Sequence, residues 1–567
     1  MWFTNSPVNS SDTGAAYRCC CRFARATDGG LRSGDFAVIQ AHNRDMDAHG
    51  GQQLHAVRRA EVLGALSVAI DLGLGQPAEH MLRSVLIAAR LSERIDPDTE
   101  TRDALYYTCL LMWIGCHADS QEYARWFGDD IAVRHDAYLV DWSGLPFYGF
   151  LARNIGRNEP PALRAKTIAA FIGDARGHMA ELIHSHCASA SLLAAHIGLP
   201  ASVQHALGFT FERFDGRGLP AGVQGAQIPL AMRIAQLADV CEVHLRRAGI
   251  PGVLELLHVR RGGQLDPDLV EAVLIDPAGI FDGLDDPGLW EQVMELAPDS
   301  TRELASDEFE VLLRGIGDFV DLKCPFTLGH ARATARLAEA AAARLGLDEA
   351  GRGIVRRAGY VHDVGRMGVS NQLWSKAGPL SAQDWERVRM HPYFTERILE
   401  RIPGFEQERM VARAHHERLD GSGYPWALPG LALGRPERLL AAAVCYQSSI
   451  ERRPYREAAS PSQAARHVTE LAAAGTLDAD CVRAVIEASG QEIVGIIPAQ
   501  ALTGREREVL VLAAMGLSNR QIADQLVLSV KTVRNHVEHC YAKIGVGNRV
   551  GASLYVLEHG LLARSGG

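Results

Sequence analysis

"AHHERLDGSGYPWALPGLALG", residues 414–434, and "FTFERFDGRGLPAGVQGAQIP", residues 209–229, are two writings of one segment. Placing Asp215 on Asp420 sets His186 on His391, each 29 residues upstream, and Asp239 on Val444, each 24 residues downstream. Farther upstream the offset grows from 205 to 250, and "HMLRSVLIAARLSER" from His80 falls on "HARATARLAEAAAAR" from His330. The 45-residue difference marks an insertion in the first copy, expected near residues 135–180. Tandem copies are the economical explanation. A chance likeness between two Ala-rich helical regions does not predict a shared Asp-Gly-x-Gly-x-Pro turn. Apolar spacings of three and four dominate from Arg58 onward, with few alternating stretches. The expected fold is therefore all-α: two tandem helical bundles and a small helical module behind them.

A chain of 567 residues has length for three or four domains. The expected division is a tail over 1–54, a first bundle over 55–295, a linker over 296–308, a second bundle over 309–495 and a C-terminal module over 496–567. The linker, "LAPDSTRELASDE", is polar and Pro-interrupted. Hydrophobic content of 47% with 22% charged residues is ordinary for a soluble globular protein. The net charge of −10 argues against wholesale nucleic-acid coating. Residues 501–567, however, carry 8 Lys+Arg against 5 Asp+Glu, a local +3 that suits phosphate contact or equally a solvated face. Eleven cysteines without a CxxC pair or a secretory leader read as reduced thiols of a cytoplasmic protein. No apolar run reaches the ~18 residues of a membrane span. The tail holds Cys19, Cys20 and Cys21 without periodicity, which reads as disorder ahead of metal binding or oxidation. Met1 and Met46 both remain possible starts.

The copies differ where chemistry would reside. His362 and Asp363 of the second copy meet Met112 and Trp113 of the first, and His415 and His416 meet Thr210 and Phe211. Indole and phenyl rings cannot hold a metal, so the first copy reads as structural or sensing. The second collects His330, His362, Asp363, His391, His415 and His416. Neutral imidazole with carboxylate suits a divalent transition metal such as Fe, Mn, Zn or Ni. A carboxylate beside histidine can bridge two ions, and a two-metal site both generates hydroxide and clamps a phosphoryl oxygen.

"HDVGR" (362–366), "HHERLDGSGYP" (415–425) and "RRPYR" (452–456) resemble the HD-GYP phosphodiesterases, and the likeness runs through roughly residues 310–495. It implies an all-helical domain that hydrolyses cyclic di-GMP or a related cyclic dinucleotide on bound metals. Carried over, His330, His362 and Asp363 hold the first metal, and Asp363 bridges to a second held by His391, His415 and His416. His362, Asp363 and Arg366 form the catalytic set, while Arg453, Arg456 and Tyr424 meet the ligand, guanidinium forks suiting phosphate and guanine alike. Three departures stand out. The family's last Asp ligand is Val444, the acid one turn before the first His is Phe326, and the Lys after the His-Asp pair is Arg366. Valine cannot coordinate, and Arg366 grips phosphate but cannot give up a proton. A slow, single-ion or purely ligand-sensing site and a working enzyme therefore stand level on the metal ligands.

Residues 502–562 begin with Thr503 and Glu506, a capping-box pair. A short second helix starts at Ser518 or Asn519 with Ile522, Ala523 and Leu526 inward, and Ser529 caps a third whose Val533, Val537 and Ile544 form a buried stripe. This is the helix-turn-helix plan. "SNRQIADQL" and "SVKTVRNHV" resemble the LuxR-type helix-turn-helix family, which implies four helices with the third in the major groove of double-stranded DNA. Arg534 and Asn535 are the base-edge candidates and Lys531, Thr532 and Lys543 the phosphate contacts. One such helix covers a single half-site, so a homodimer is expected. Because the module is intact and the metal set is not, a DNA-binding regulator that senses or slowly hydrolyses a cyclic dinucleotide is preferred. The alternative is an active phosphodiesterase with a DNA-binding tail.

Overall fold

The computed structural model describes residues 57–491 apart from 143, 158 and 174, then 504–544 with 552 and 556. The expected tail, with its three consecutive cysteines, lies outside the described residues, as do Thr503 and a fourth C-terminal helix. Among the described residues the chain is helical without a β-strand, its cysteines are free thiols, and no helix is long and apolar enough to cross a membrane.

The first bundle is built from α1 (Arg59–Leu74), α2 (His80–Ile95), α3 (Thr99–Leu111), α4 (Asp130–Ala137), α5 (Gly144–Asn154), α6 (Pro161–Gly173), α7 (Ala175–His196) and α8 (Leu230–Arg260). Helix α8 bends at Gly249, whose positive φ of 64° lies two residues before Pro251, a familiar cause of kinks. The second bundle follows with α9 (Ser306–Asp321), α10 (His330–Arg344), α11 (Glu349–Val361), α12 (His391–Leu399), α13 (Glu406–Arg413) and α14 (Arg435–Ser449). In each bundle the His-bearing helix starts in the same way. Asp71 accepts from the Met81 N–H at 3.2 Å and Asp321 from the Ala331 N–H at 2.9 Å, so a buried carboxylate caps α2 and α10 alike. Burial raises these carboxyls to about 8 and about 7. Helices α5 and α6 fall inside the expected insertion, and Phe150, Leu151, Ile155 and Phe171 form a satellite core with α7.

The expected linker is shorter than its polar stretch: α9 already begins at Ser306. It does not separate two cores either, because one apolar cluster runs from α1 through α14. The reason lies in α1 and α9. Nearly every residue of α1 is buried, including its polar Glu61, Ser67 and Asp71, and a helix apolar all round is a core element. It packs on α2 and α3 of its own bundle and also on α12 and the tight turn Val364–Gly368 of the second. Helix α9 reciprocates, with Phe319 meeting His117 edge-on at 6.3 Å between ring centres. Asp130, wholly buried at the start of α4, accepts from Arg134 at 2.9 Å, from Ser370 Oγ at 2.7 Å and from the Asn371 N–H at 2.8 Å, with the buried Lys323 ammonium 3.6 Å away.

In the C-terminal module, α15 (Gly504–Ala514), α16 (Asn519–Leu526) and α17 (Val530–Ile544) enclose Val509, Ala513, Ile522, Ala523 and Val533. Ser518 proves to be the cap of α16, its Oγ accepting from the Gln521 N–H at 3.3 Å while Gln521 reaches back to the Ser518 N–H at 2.9 Å.

Removing Asp130 leaves Lys323 and Arg134 as buried, under-paired cations. Asp130→Ala is expected to cost about 3–5 kcal/mol and to lower the melting of both bundles together. Calorimetry checks this, and two separated transitions in the native protein would contradict the shared core.

Candidate metal centre

The ends of α10, α11, α12 and α13 converge. Two clusters have ligand atoms within 4.8 Å of one another: His330 with His362 and Asp363, and His391 with His415 and His416. Asp363 stands between them. Its Oδ1 is 3.5 Å from both His391 Nε2 and His415 Nε2, while its Oδ2 is 3.6 Å from His362 Nε2 and 3.9 Å from His330 Nε2. One carboxylate thus offers one oxygen to each cluster.

The imidazoles are set for coordination by their far nitrogens. His362 Nδ1 meets the Gly359 carbonyl at 2.9 Å, His391 Nδ1 that of Val388 at 2.7 Å and His415 Nδ1 that of Ala412 at 2.6 Å. A carbonyl only accepts, so each Nδ1 carries the proton and each Nε2 keeps its lone pair facing Asp363. His362 Nε2 is buried without a hydrogen-bond partner. That orphaned lone pair, among N and O donors, fits a divalent transition metal. Burial lowers His362 and His391 to about 3 and also lowers His416. Burial alone would raise Asp363, but His362 and Arg366 beside it hold it well below the carboxylate range. Gly365 lets the turn sit down on α12, since a Cβ there would collide with the His391 carbonyl oxygen.

The "HHERLDGSGYP" loop is fixed by Glu417, whose two oxygens accept from the Trp426 and Leu428 N–H groups at 2.9 Å. Asp420 turns the chain by accepting from the Ser422 N–H at 3.0 Å. The first bundle repeats the device, with Glu212 accepting from Ala221 at 2.7 Å and Asp215 from Arg217 at 3.0 Å. Tyr424 stacks on His416 at 4.6 Å and lies at the edge of the second cluster.

Other expected residues sit differently. Val444 is buried on α14 and brings no donor to the first cluster. Arg366 donates to Asp363 Oδ2 at 3.0 Å and stacks 4.1 Å over Trp374, so its fork is largely occupied. Arg453, expected at the ligand, donates to Glu451 at 2.7 Å and to the Phe326 carbonyl. Arg456 is exposed and donates to the Ser448 carbonyl. Glu451 is the residue that the sequence reading missed: it accepts from His330 Nδ1 at 3.0 Å and from Gln447 at 2.8 Å. In the first bundle Glu242, the counterpart of Gln447, meets His80 Nδ1 directly at 2.5 Å. Glu451 supplies the carboxylate that Gln447 lacks, and the Glu242–Gln447 register held the signal. His80 Nε2 meets Asp239 at 3.0 Å, which also accepts the Trp113 indole N–H at 2.9 Å. An indole donor stands where the second bundle places Asp363.

In the C-terminal module, Lys531, Arg534, Asn535 and Glu538 are exposed on α17 and Thr532 is half-buried. Lys543, expected at phosphate, instead makes 2.8 Å contacts to both oxygens of Glu506 on α15 and is mostly covered.

Residues 316–481 match the HD domain family, and residues 500–556 match the bacterial regulatory proteins of the luxR family. The chain carries an HD domain and a LuxR-type domain. Among curated proteins it resembles the 3'3'-cGAMP-specific phosphodiesterase 3 of Vibrio cholerae, at 29% identity over 433 residues, 76% of this chain and 94% of that one. It also resembles a cyclic di-GMP phosphodiesterase of Pseudomonas aeruginosa, at 31% over 187 residues, 32% of this chain and 42% of the relative. A crystal structure of a cyclic GMP-AMP-specific phosphodiesterase of V. cholerae superposes with a TM-score of 0.53 at 26% identity, covering 76% of this chain and 97% of the other. HD domains of this kind are metal-dependent phosphohydrolases, and the buried cluster lies within the matched HD domain. When bound, divalent ions supply Lewis acidity and a water of lowered pKa.

Two expectations follow. Glu451→Gln should weaken metal binding at the His330 cluster about 10–100-fold and spare the His391 cluster, read by titration with Mn or Zn. In metal-free protein, His362 and His391 at about 3 and His186 at about 4 lie below the unfolded value of 6.5. At these three histidines the unfolded chain takes up protons first, so their contribution to stability is lost as pH drops from 6.5 toward 3. Down to 3.8 this loss is opposed by Asp71 and Asp321, which are raised to about 8 and about 7 and protonate first in the folded state. His80, raised to about 10 by Glu242 and Asp239 against its burial, contributes fully below 6.5 and does not offset this loss. Denaturant titrations across that window check this, and the fall should be steeper in an Asp71→Asn, Asp321→Asn variant, which lacks the opposing acids.

Proposed function

We propose that this protein is a DNA-binding transcriptional regulator whose two HD-GYP-like copies sense, or slowly hydrolyse, a cyclic dinucleotide. The observation that carries the reading is a bridging Asp363 with the histidine lone pairs aimed at it, set beside a Val444 that withholds one ligand. The C-terminal module meanwhile keeps an exposed polar face on α17. The relatives' names, which specify 3'3'-cGAMP and cyclic di-GMP, support a cyclic dinucleotide as the ligand. The matching carboxylate caps, loop-holding glutamates and offset histidines support descent of the two bundles from one tandem unit.

In this reading His330, His362 and Asp363 hold one ion, with positions open to water or ligand. His391, His415, His416 and Asp363 hold the other. Tyr424 and Arg456 face the ligand, and Arg453 is a positioning residue that steadies Glu451. On DNA, Arg534 and Asn535 meet base edges and Lys531 and Thr532 meet phosphate. Two protomers are needed to read two half-sites about 10 base pairs apart. The alternative, an active phosphodiesterase, is favoured by the complete His391 cluster. Elemental analysis of the purified protein together with a cyclic di-GMP and 3'3'-cGAMP hydrolysis assay separates the two. Turnover as fast as that of relatives with full ligand sets would overturn the regulator as the primary role.

Val444→Asp should raise bound metal and bring or increase hydrolysis, whereas His415→Ala with His416→Ala should strip the second ion from either background. An unchanged metal content in Val444→Asp would show that the pocket has closed around the valine.

Arg534→Ala or Asn535→Ala should each cost roughly 1–3 kcal/mol of operator binding and relax specificity. Lys531→Ala should weaken all sequences alike and flatten the salt dependence. Operator selection in vitro followed by binding titrations at several salt concentrations reads both.

A further inference from the structure

The first bundle has lost its metal ligands yet is not filled solid where they stood. Two overlapping chambers share walls formed by Trp113, Trp142, Phe147, Phe211, Asp239 and Gln264. A chamber walled by aromatic rings with a few polar groups has the lining usual for a small-molecule site. Trp113 and Phe211 occupy the positions of Asp363 and His416 in the second copy. Trp142 and Phe147 come from the segment that only the first copy carries, and their rings stack at 5.6 Å and 21°. The insertion therefore roofs the altered site with two further rings.

Two buried polar groups on these walls are incompletely satisfied. Asp239 Oδ1 accepts from His80 and Trp113, but Asp239 Oδ2 is buried without a hydrogen-bond partner. A buried carboxylate oxygen left bare is costly and uncommon in a native fold. Across the second chamber, the Arg260 guanidinium is almost wholly buried, and its one side-chain partner among the described residues is Gln264 Oε1 at 2.8 Å. Arg213, by contrast, is committed to Asp141 and to Asp215. Apolar filling alone would leave Asp239 Oδ2 unpaired and Arg260 with Gln264 as its side-chain partner.

We infer that the first copy binds a planar heteroaromatic molecule in the chamber that these four rings wall, giving an N–H donor to Asp239 Oδ2 and an acceptor to Arg260. A purine base with both functions has the right shape and chemistry. This site is separate from the metal centre of the second copy and does not depend on that centre's activity.

The test uses guanosine as probe and the full chain. Isothermal calorimetry on the native protein should give one site with a Kd on the order of 10–100 µM. Asp239→Asn, Arg260→Gln and Trp142→Ala should each weaken binding tenfold or more. Trp142 lies half-buried on the roof, so Trp142→Ala keeps the test sound where Asp239→Asn disturbs folding. The double variant His415→Ala, His416→Ala, altered only in the second copy, should bind guanosine as the native protein does. No binding up to about 1 mM, binding that survives both Asp239→Asn and Trp142→Ala, or binding abolished by the histidine pair would each overturn the assignment.

Discussion

Asp130 is the carboxylate on which the arrangement of the two bundles turns. It belongs to the first, yet Ser370, the Asn371 N–H and Lys323, all from the second, surround it, with only Arg134 from its own helix. A charge taken wholly out of water is tolerated only where its geometry is met in full. The junction therefore has one acceptable register, and sliding the bundles would strand charge in an apolar interior. That register holds α1 against the Val364–Gly368 turn and α12, and α12 carries His391. The position of a histidine in the buried cluster thus depends on an ion pair that belongs to the other bundle.

Each of the two bundles holds what the other lacks. The first retains the Asp239 carboxylate but has Trp113 in place of the His-Asp carboxylate, and its indole N–H donates to the oxygen that a metal ion would otherwise claim. The second retains Asp363 and has Val444 where Asp239 stands. In the first bundle Trp113 and Phe211 stand at the positions of Asp363 and His416 and wall an aromatic chamber. The same scaffold thus gives two different kinds of site, decided at a handful of positions on shared helices.

Much of this was legible in the chain. The 205- and 250-residue offsets, the histidines of the second copy and the Ser518 and Ser529 caps follow from residue type and spacing, and each reflects local backbone geometry. What was not legible depended on contacts across helices. Glu451 lies two residues before Arg453, outside any ligand spacing, and its role shows only in its contact with His330, since Gln447 one turn earlier carries an amide where the first bundle has Glu242. Lys543 is polar at a plausible outward position, and only the approach of α15 shows that Glu506 claims it. The polar "LAPDSTRELASDE" stretch looked like a separator because composition reports exposure of a segment, not continuity of the cores on either side. The better signal was "RAEVLGALSVAIDLGL" (59–74), too apolar on every face to serve one bundle.

That helix has an evolutionary consequence. A duplicated domain that loses its chemistry is ordinarily free to be deleted, since nothing else needs it. Here α1 lies between both cores, and excising the first copy would uncover the underside of α12 and of the Val364–Gly368 turn. Inactivation by point substitution is open to this copy, but removal is not. The first bundle is needed as architecture, whatever ligand it holds.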